Sequence, residues 1–322
     1  MCALFGWLDY KNKVPQKALK KLTQTLANAA EERGTDASGI SYVKDSKITI
    51  FKRPKPAHKI RFNIPNDTRA VMGHTRMTTQ GNEKFNYNNH PFYGHTDIEF
   101  AFAHNGVLHN DKELRKEKNL PQTKIETDSY VAVQLIEQQR KLDLNILKSM
   151  AEDVQGSFCF TVLDEKNNLY IVKGNNPMHL IHFEELGIYV YASTESIMKK
   201  ALKKAGFNKL KFELLNVEEG DILKIGPKGT ISRSKFEVNE SYSYGKYFNW
   251  YDDFEDDFYS QQKQMLFDIC SCYGVDEDDI CLLLDYGYSV DEIEEMMCDS
   301  SLIYNTIKDI KNEEFYNCIE CI

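Results

Sequence analysis

The chain has 322 residues, a formal net charge of −9 and a sequence pI near 5.5, so it lacks the basic surface that nucleic acid or an anionic membrane requires. No run of 18 or more apolar residues is present, and the opening MCALFGWLDYKNK turns polar too soon for a signal peptide, so no membrane span and a cytoplasmic location are expected. A 42% hydrophobic and 12% aromatic chain can fill a proper core, and its eight cysteines are expected as thiols. Residues 2–9 are short and apolar and predict a buried strand. Residues 15–32 place Ala18, Leu19, Leu22, Leu26 and Ala29 at helical spacing before Gly34. Strands follow at 37–43, 46–53, 69–74, 98–104, 157–164, 168–173, 179–183, 187–192 and 221–225, and helices at 127–142, 144–153 and 194–205. So many strands imply two sheets, covered by helices on both outer faces in an α+β fold.

Residues 2–240 read as one mixed domain. Residues 241–260 crowd nine aromatics beside five acids and read as a linker or docking segment. Residues 261–322 predict a small helical module, with Ser289 and Glu292 as a capping box after the turn at Gly287. The segment LLLDYGYSVDEIEEMM resembles a ubiquitin-associated three-helix module. Six cysteines lie in this tail, but their pairs are far apart and have no neighbouring His, so no metal site is expected.

Five motifs carry chemistry. Cys2 follows the initiator Met, whose removal places a thiol and a free α-amine on one residue. That amine titrates at about 7.7 to 8.0 and can act as the thiol's base; alternatively Cys2 is a small buried hydrophobe. In VMGHTRMTTQG, Arg76 leaves a strand and offers bidentate capture of a carboxylate, or a surface ion pair. In FAHNGVLHN, Asn105 and Gly106 can point a side-chain amide and a backbone N–H at an oxyanion, or form a hairpin turn. In ETDSY, Asp128 opens a helix and either pairs with a substrate ammonium or caps the helix. NNHPF, with His90, is a lid or an ordinary turn.

In this order, after a Met-Cys start, these motifs resemble the class II glutamine amidotransferase domain of the N-terminal nucleophile hydrolases. The resemblance covers roughly residues 2–238, including ERGTDASGI, QGSFCFTVLD, YASTE and VEEGDILKI, and is nearest the glutaminase half of glucosamine-phosphate synthase. It implies a four-layer αββα sandwich of two mainly antiparallel sheets. It also implies that Cys2 forms a γ-glutamyl thioester, Asn105 and Gly106 hold the oxyanion, Arg76 takes the substrate α-carboxylate and Asp128 its α-ammonium. Thr79 and His90 fall at further pocket or lid positions, and Gly34 and Asp36 in a turn near the nucleophile. Met77 stands where close relatives carry Trp, and Gln80 where many carry His.

L-glutamine is therefore the expected substrate, with no metal and no cofactor. The residues after 238 are fewer than the ~100–150 of a typical domain, so a separate ammonia-accepting synthase or other protein partner is expected. Two readings of other classes remain: an N-terminal nucleophile amidase on another amide, and a non-catalytic glutamine sensor or scaffold.

Overall fold

The computed structural model describes residues 2–238 and, beyond them, residues 275, 276, 279, 280, 282, 283, 293 and 296 and the backbone of 300–319. The chain divides into two compact units, Met1–Ser241 and Tyr242–Ile322.

The first unit is built on two sheets whose strand pairs are all antiparallel. One holds seven strands. In spatial order these are β11 (Glu213–Leu215), β9 (His179–Phe183), β10 (Ile188–Ala192), β1 (Ala3–Asp9), β4 (Ala70–Arg76), β2 (Ala37–Lys44) and β3 (Lys47–Arg53). The other holds six: β13 (Ile231–Lys235), β12 (Asp221–Ile225), β8 (Leu169–Lys173), β7 (Gly156–Asp164), β6 (Glu99–Leu108) and β5 (Phe92–His95).

The period of two along each strand sorts side chains into layers. In β1, Phe5 and Trp7 meet helices α1 (Gln16–Ala29) and α5 (Glu195–Ala205), whereas Leu4 and Leu8 face the other sheet. In β6, Phe100 and Phe102 meet α3 (Tyr130–Gln138) and α4 (Leu144–Asp153), whereas Ala101 and Ala103 face the gap between the sheets. The result is the four-layer αββα sandwich, with one core under each helix layer and a third between the sheets. Trp7 is fully buried and its indole N–H is satisfied by Thr23 Oγ1 at 2.9 Å. A buried large apolar side chain of this kind contributes roughly 1.5–3 kcal/mol, which anchors β1 to α1.

Helix ends follow local chemistry. Asp143 caps α4 by accepting from Asn145 N and Ile146 N; Thr194 caps α5, which Gly206 ends at φ 92°. Sequence patterns missed β5, β11, β13 and α2 (Asp111–Glu117): β5 and β11 are too brief to show a period, and β13 (ISRSK) and α2 (DKELRKE) each carry a single apolar residue. Directly after α1, residues Ala30–Arg33 form a 3-10 turn leading to Gly34 and β2.

In the second unit, α6 (Ser300–Ile319) places Ile303, Ile307 and Ile310 against Val275, Ile280, Leu283, Ile293 and Met296 in a core of its own. The 241–260 segment, the Ser289–Glu292 capping box and the side chains of the six tail cysteines lie outside the described residues. Among the described residues no helix is long and apolar enough to cross a membrane.

Candidate functional site

The same period of two assembles the site. Extending the inward series of β1 from Leu4 places Cys2 toward the gap between the sheets. In β4 the series Met72, His74 leads to Arg76, and in β6 the series Ala101, Ala103 leads to Asn105. The register pairs Ala3 with Thr75, so Cys2 and Arg76 end neighbouring strands. His74 Nε2 donates to the His104 carbonyl at 2.9 Å, which ties β4 of one sheet to β6 of the other beside Asn105.

Cys2 is half-buried, and its sulfur lies 3.5 Å from the Met77 carbonyl. Burial pushes the thiol above its ordinary value; hydrogen bonding to the Met77 backbone and the Arg76 charge pull it down, and Asp128 pushes it up. Arg33 Nε donates to the Cys2 carbonyl at 2.9 Å. A Cβ at Gly34 would stand 2.4 Å from the Arg76 carbonyl carbon and 2.5 Å from Met77 N, so only glycine lets the 33–36 turn pack on this peptide. Asp36 Oδ2 then accepts from Thr78 N at 2.7 Å, and Asp36 N donates to Arg76 O at 2.9 Å.

Arg76 is buried. Its guanidinium donates to Asn89 Oδ1 at 2.7 Å, Gln80 O at 2.5 Å and Gly81 O at 3.0 Å. Asn89 in turn donates to Glu83 O at 2.7 Å, and Lys52 Nζ donates to the Asn89 and Pro91 carbonyls. Burial, with the Arg76 charge added, lowers the Lys52 amine to about 7.

Asn105 lies inside β6, where its carbonyl accepts from Asn176 Nδ2 at 2.8 Å. Its own Nδ2 is buried with no hydrogen-bond partner in the protein. Gly106 has φ +142°, and a Cβ there would stand 1.9 Å from Ser157 O. Asp128 is buried; its Oδ2 accepts from Leu108 N at 2.6 Å and its Oδ1 from Ser129 Oγ at 3.3 Å.

His74, His90 and His104 are all buried and kept neutral. Burial lowers His74 to about 3, holds His90 well below its ordinary value and lowers His104. The ring centroids of His74 and His90 lie 4.3 Å apart, with the planes tilted by 34°. Beside the N-terminal ammonium, two charged side chains of opposite sign, Arg76 and Asp128, act on the sulfur.

Residues 74–200 match the glutamine amidotransferase domain family. The chain is 30% identical over 206 residues to 7-cyano-7-deazaguanine synthase 2 of Sulfurisphaera tokodaii, covering 61% of this chain and 44% of that protein. It is 32% identical over 191 residues to the isomerizing glutamine–fructose-6-phosphate aminotransferase of Staphylococcus aureus, covering 56% of this chain and 30% of that one. The fold matches glutamine phosphoribosylpyrophosphate amidotransferase from B. subtilis with a TM-score of 0.57 at 20% identity, over 74% of this chain and 50% of that one. The chain carries a class II glutamine amidotransferase domain. It spans less than half the length of the Sulfurisphaera tokodaii and Staphylococcus aureus relatives.

Within the amidotransferase domain, two of the local readings of the motifs drop out. Asn105-Gly106 makes no hairpin turn, because β6 runs on to Leu108. Asp128 does not cap α3; its carboxylate is turned to Leu108 N and Ser129. Thr79 is exposed on the loop after Arg76, and the neighbouring Thr78 is the residue tied to Asp36. His90 is packed inside against His74 and Phe92, with both ring nitrogens unpartnered. Sequence reasoning missed Asn89, Lys52, Ser129 and His104. Only the polar run NNHPF hinted at Asn89.

Proposed function

We propose that this domain hydrolyses the side-chain amide of L-glutamine through a thioester on Cys2 and supplies the ammonia to an acceptor synthase. The observation that carries the reading is that two buried side chains of opposite charge, Arg76 and Asp128, lie near Cys2. A free α-amino acid carries the matching carboxylate and ammonium, whereas a peptide amide carries neither beside the scissile group.

Removal of Met1 frees the Cys2 amine. The thiol gives its proton to that amine while sulfur attacks the amide carbon, and the carbonyl electrons move to oxygen. Asn105 Nδ2, which has no acceptor of its own in the protein, and Gly106 N–H receive this oxyanion. Collapse expels ammonia, which takes the proton back from the amine, and leaves the γ-glutamyl thioester. Water, deprotonated by the same amine, releases glutamate and restores the thiol. Arg76 meets the substrate carboxylate with the N–H groups that Asn89, Gln80 and Gly81 do not engage, or exchanges the loop carbonyls for it.

Intact mass and a coupled glutamate assay, with asparagine and small peptides alongside, test the proposal. The expected result is a mature chain starting at Cys2, active on glutamine and inactive as Cys2→Ala. Active enzyme retaining Met1 removes the amine base, and turnover by Cys2→Ala overturns the mechanism.

A further inference from the structure

Ser129 stands at the N-cap of α3, a position where a serine hydroxyl ordinarily accepts a backbone N–H of the first turn. Here it makes no such bond. Instead its Oγ lies 2.8 Å from His104 Nδ1 and 3.3 Å from Asp128 Oδ1, and all three side chains are buried. His104 is itself fixed at both ends of its ring: Nε2 lies 3.2 Å from Ser157 O, and the ring packs on Phe160 with centroids 4.8 Å apart. The hydroxyl has a single proton, which is free for Asp128 Oδ1 when the ring proton sits on Nδ1 and His104 donates to Ser129 Oγ; the 2.8 Å contact then sets the Ser129 rotamer and holds the hydroxyl against the carboxylate. A hydroxyl withdrawn from capping forgoes helix stabilisation, so its redirection toward a buried carboxylate asks for a role there.

We propose that Ser129 and His104 are positioning residues for Asp128, fixing the carboxylate plane that takes the substrate ammonium; this rests on the glutaminase reading above. Leu108 N holds one carboxylate oxygen and Ser129 the other, which leaves the outward lone pairs for a cation. The brace is also continuous with the oxyanion strand. On β6, His104 points to the helix layer, Asn105 to the gap between the sheets, and Leu108 N returns to Asp128. Five consecutive residues, 104–108, therefore supply both the proposed oxyanion donors and the supports of the ammonium site.

The test compares full-length Ser129→Ala and Ser129→Thr on glutamine and on glutaramate, which keeps the amide and the carboxylate but lacks the α-ammonium. Ser129→Ala should lose about tenfold in kcat/KM on glutamine, the scale of one hydrogen bond to a charged group. On glutaramate it should stay within about twofold of the parent. Ser129→Thr, which keeps the hydroxyl, should match the parent on both substrates. His104→Phe, which keeps a ring against Phe160 and removes both nitrogens, should repeat the glutamine-selective loss. Equal losses on the two substrates would show a merely structural role and overturn the proposal, as would an unchanged rate of Ser129→Ala on glutamine. Asp128→Asn separates the two levels: normal glutamine turnover by that variant sinks the glutaminase site itself, whatever Ser129 does.

Discussion

Replacing Asn105 by Ala should separate activity from stability. The Asn105 side chain is 1% exposed, and its Nδ2 has no partner in the protein. A buried donor left unpaired costs about 1–3 kcal/mol in the folded state, and truncation to Ala removes that cost. Against it stands the cavity left by the amide, at roughly 24 cal/mol per Å3, or about 1 kcal/mol for a group of that size. The backbone carbonyl keeps its bond from Asn176 Nδ2, so β6 retains its support. The two effects nearly cancel, and the melting temperature should move by no more than about 4 °C in a unit of this size. Catalysis has no such compensation: losing one oxyanion donor costs about 10²–10³ in kcat, or about 2.7–4 kcal/mol. Steady-state release of glutamate and ammonia, read beside thermal unfolding of the same preparations, measures both. Parental kcat refutes the oxyanion role, and a steep fall in stability together with kcat refutes the argument from the unpaired donor.

Arg76→Ala and Asp128→Ala should each lose about 2–5 kcal/mol of transition-state binding in kcat/KM for glutamine; normal turnover in either excludes that residue from the substrate site. Because burial holds the Cys2 thiol above its ordinary value, free thiolate is scarce at neutral pH, and the α-amine must act as base. The profile of kcat/KM should then fall with unit slope as pH drops below about 8; a limb set only above pH 9 would assign the titration to the thiol. Lys52 titrates at about 7 in the fold and near 10.4 when unfolded, so between those values the unfolded chain binds one more proton and stability rises with pH. Urea unfolding from pH 7 to 9.5 should show that rise, and Lys52→Met should reduce it; parallel curves for the two proteins would discard the assignment.

Much of the fold was legible because a period of two needs no knowledge of contacts. It located the long strands and, read inward from Leu4, Met72 and Ala101, it aims Cys2, Arg76 and Asn105 at one gap. Local rules misled at two positions for a shared reason. Asn-Gly is a turn signal and Asp before a helix is a capping signal only while the side chain stays within its own segment. Asn105 sits mid-strand and Asp128 bonds to Leu108, 20 residues away. The supports were illegible because each spans a long stretch of chain. Lys52 reaches Asn89 across 37 residues, and His104 reaches Ser129 across 25. No local pattern marks such pairs, and the polar loop 82–91 reads as an ordinary connection until Arg76 is seen bonded to Asn89.

The contact at Gly34 gives the site an unusual mutational profile. The peptide joining Arg76 to Met77 rests on a residue with no side chain; Arg76 on one side of it carries the guanidinium, and the carbonyl of Met77 on the other side contacts the sulfur. Any substitution at Gly34 lifts that peptide through main-chain contact, displacing the Met77 backbone from the sulfur and tilting the Arg76 side chain in one motion. In a saturation library scored on growth or turnover, position 34 should therefore be as intolerant as position 2, although it contributes no functional group. Chemically conservative replacements should fare no better than drastic ones there, because the requirement is for empty space.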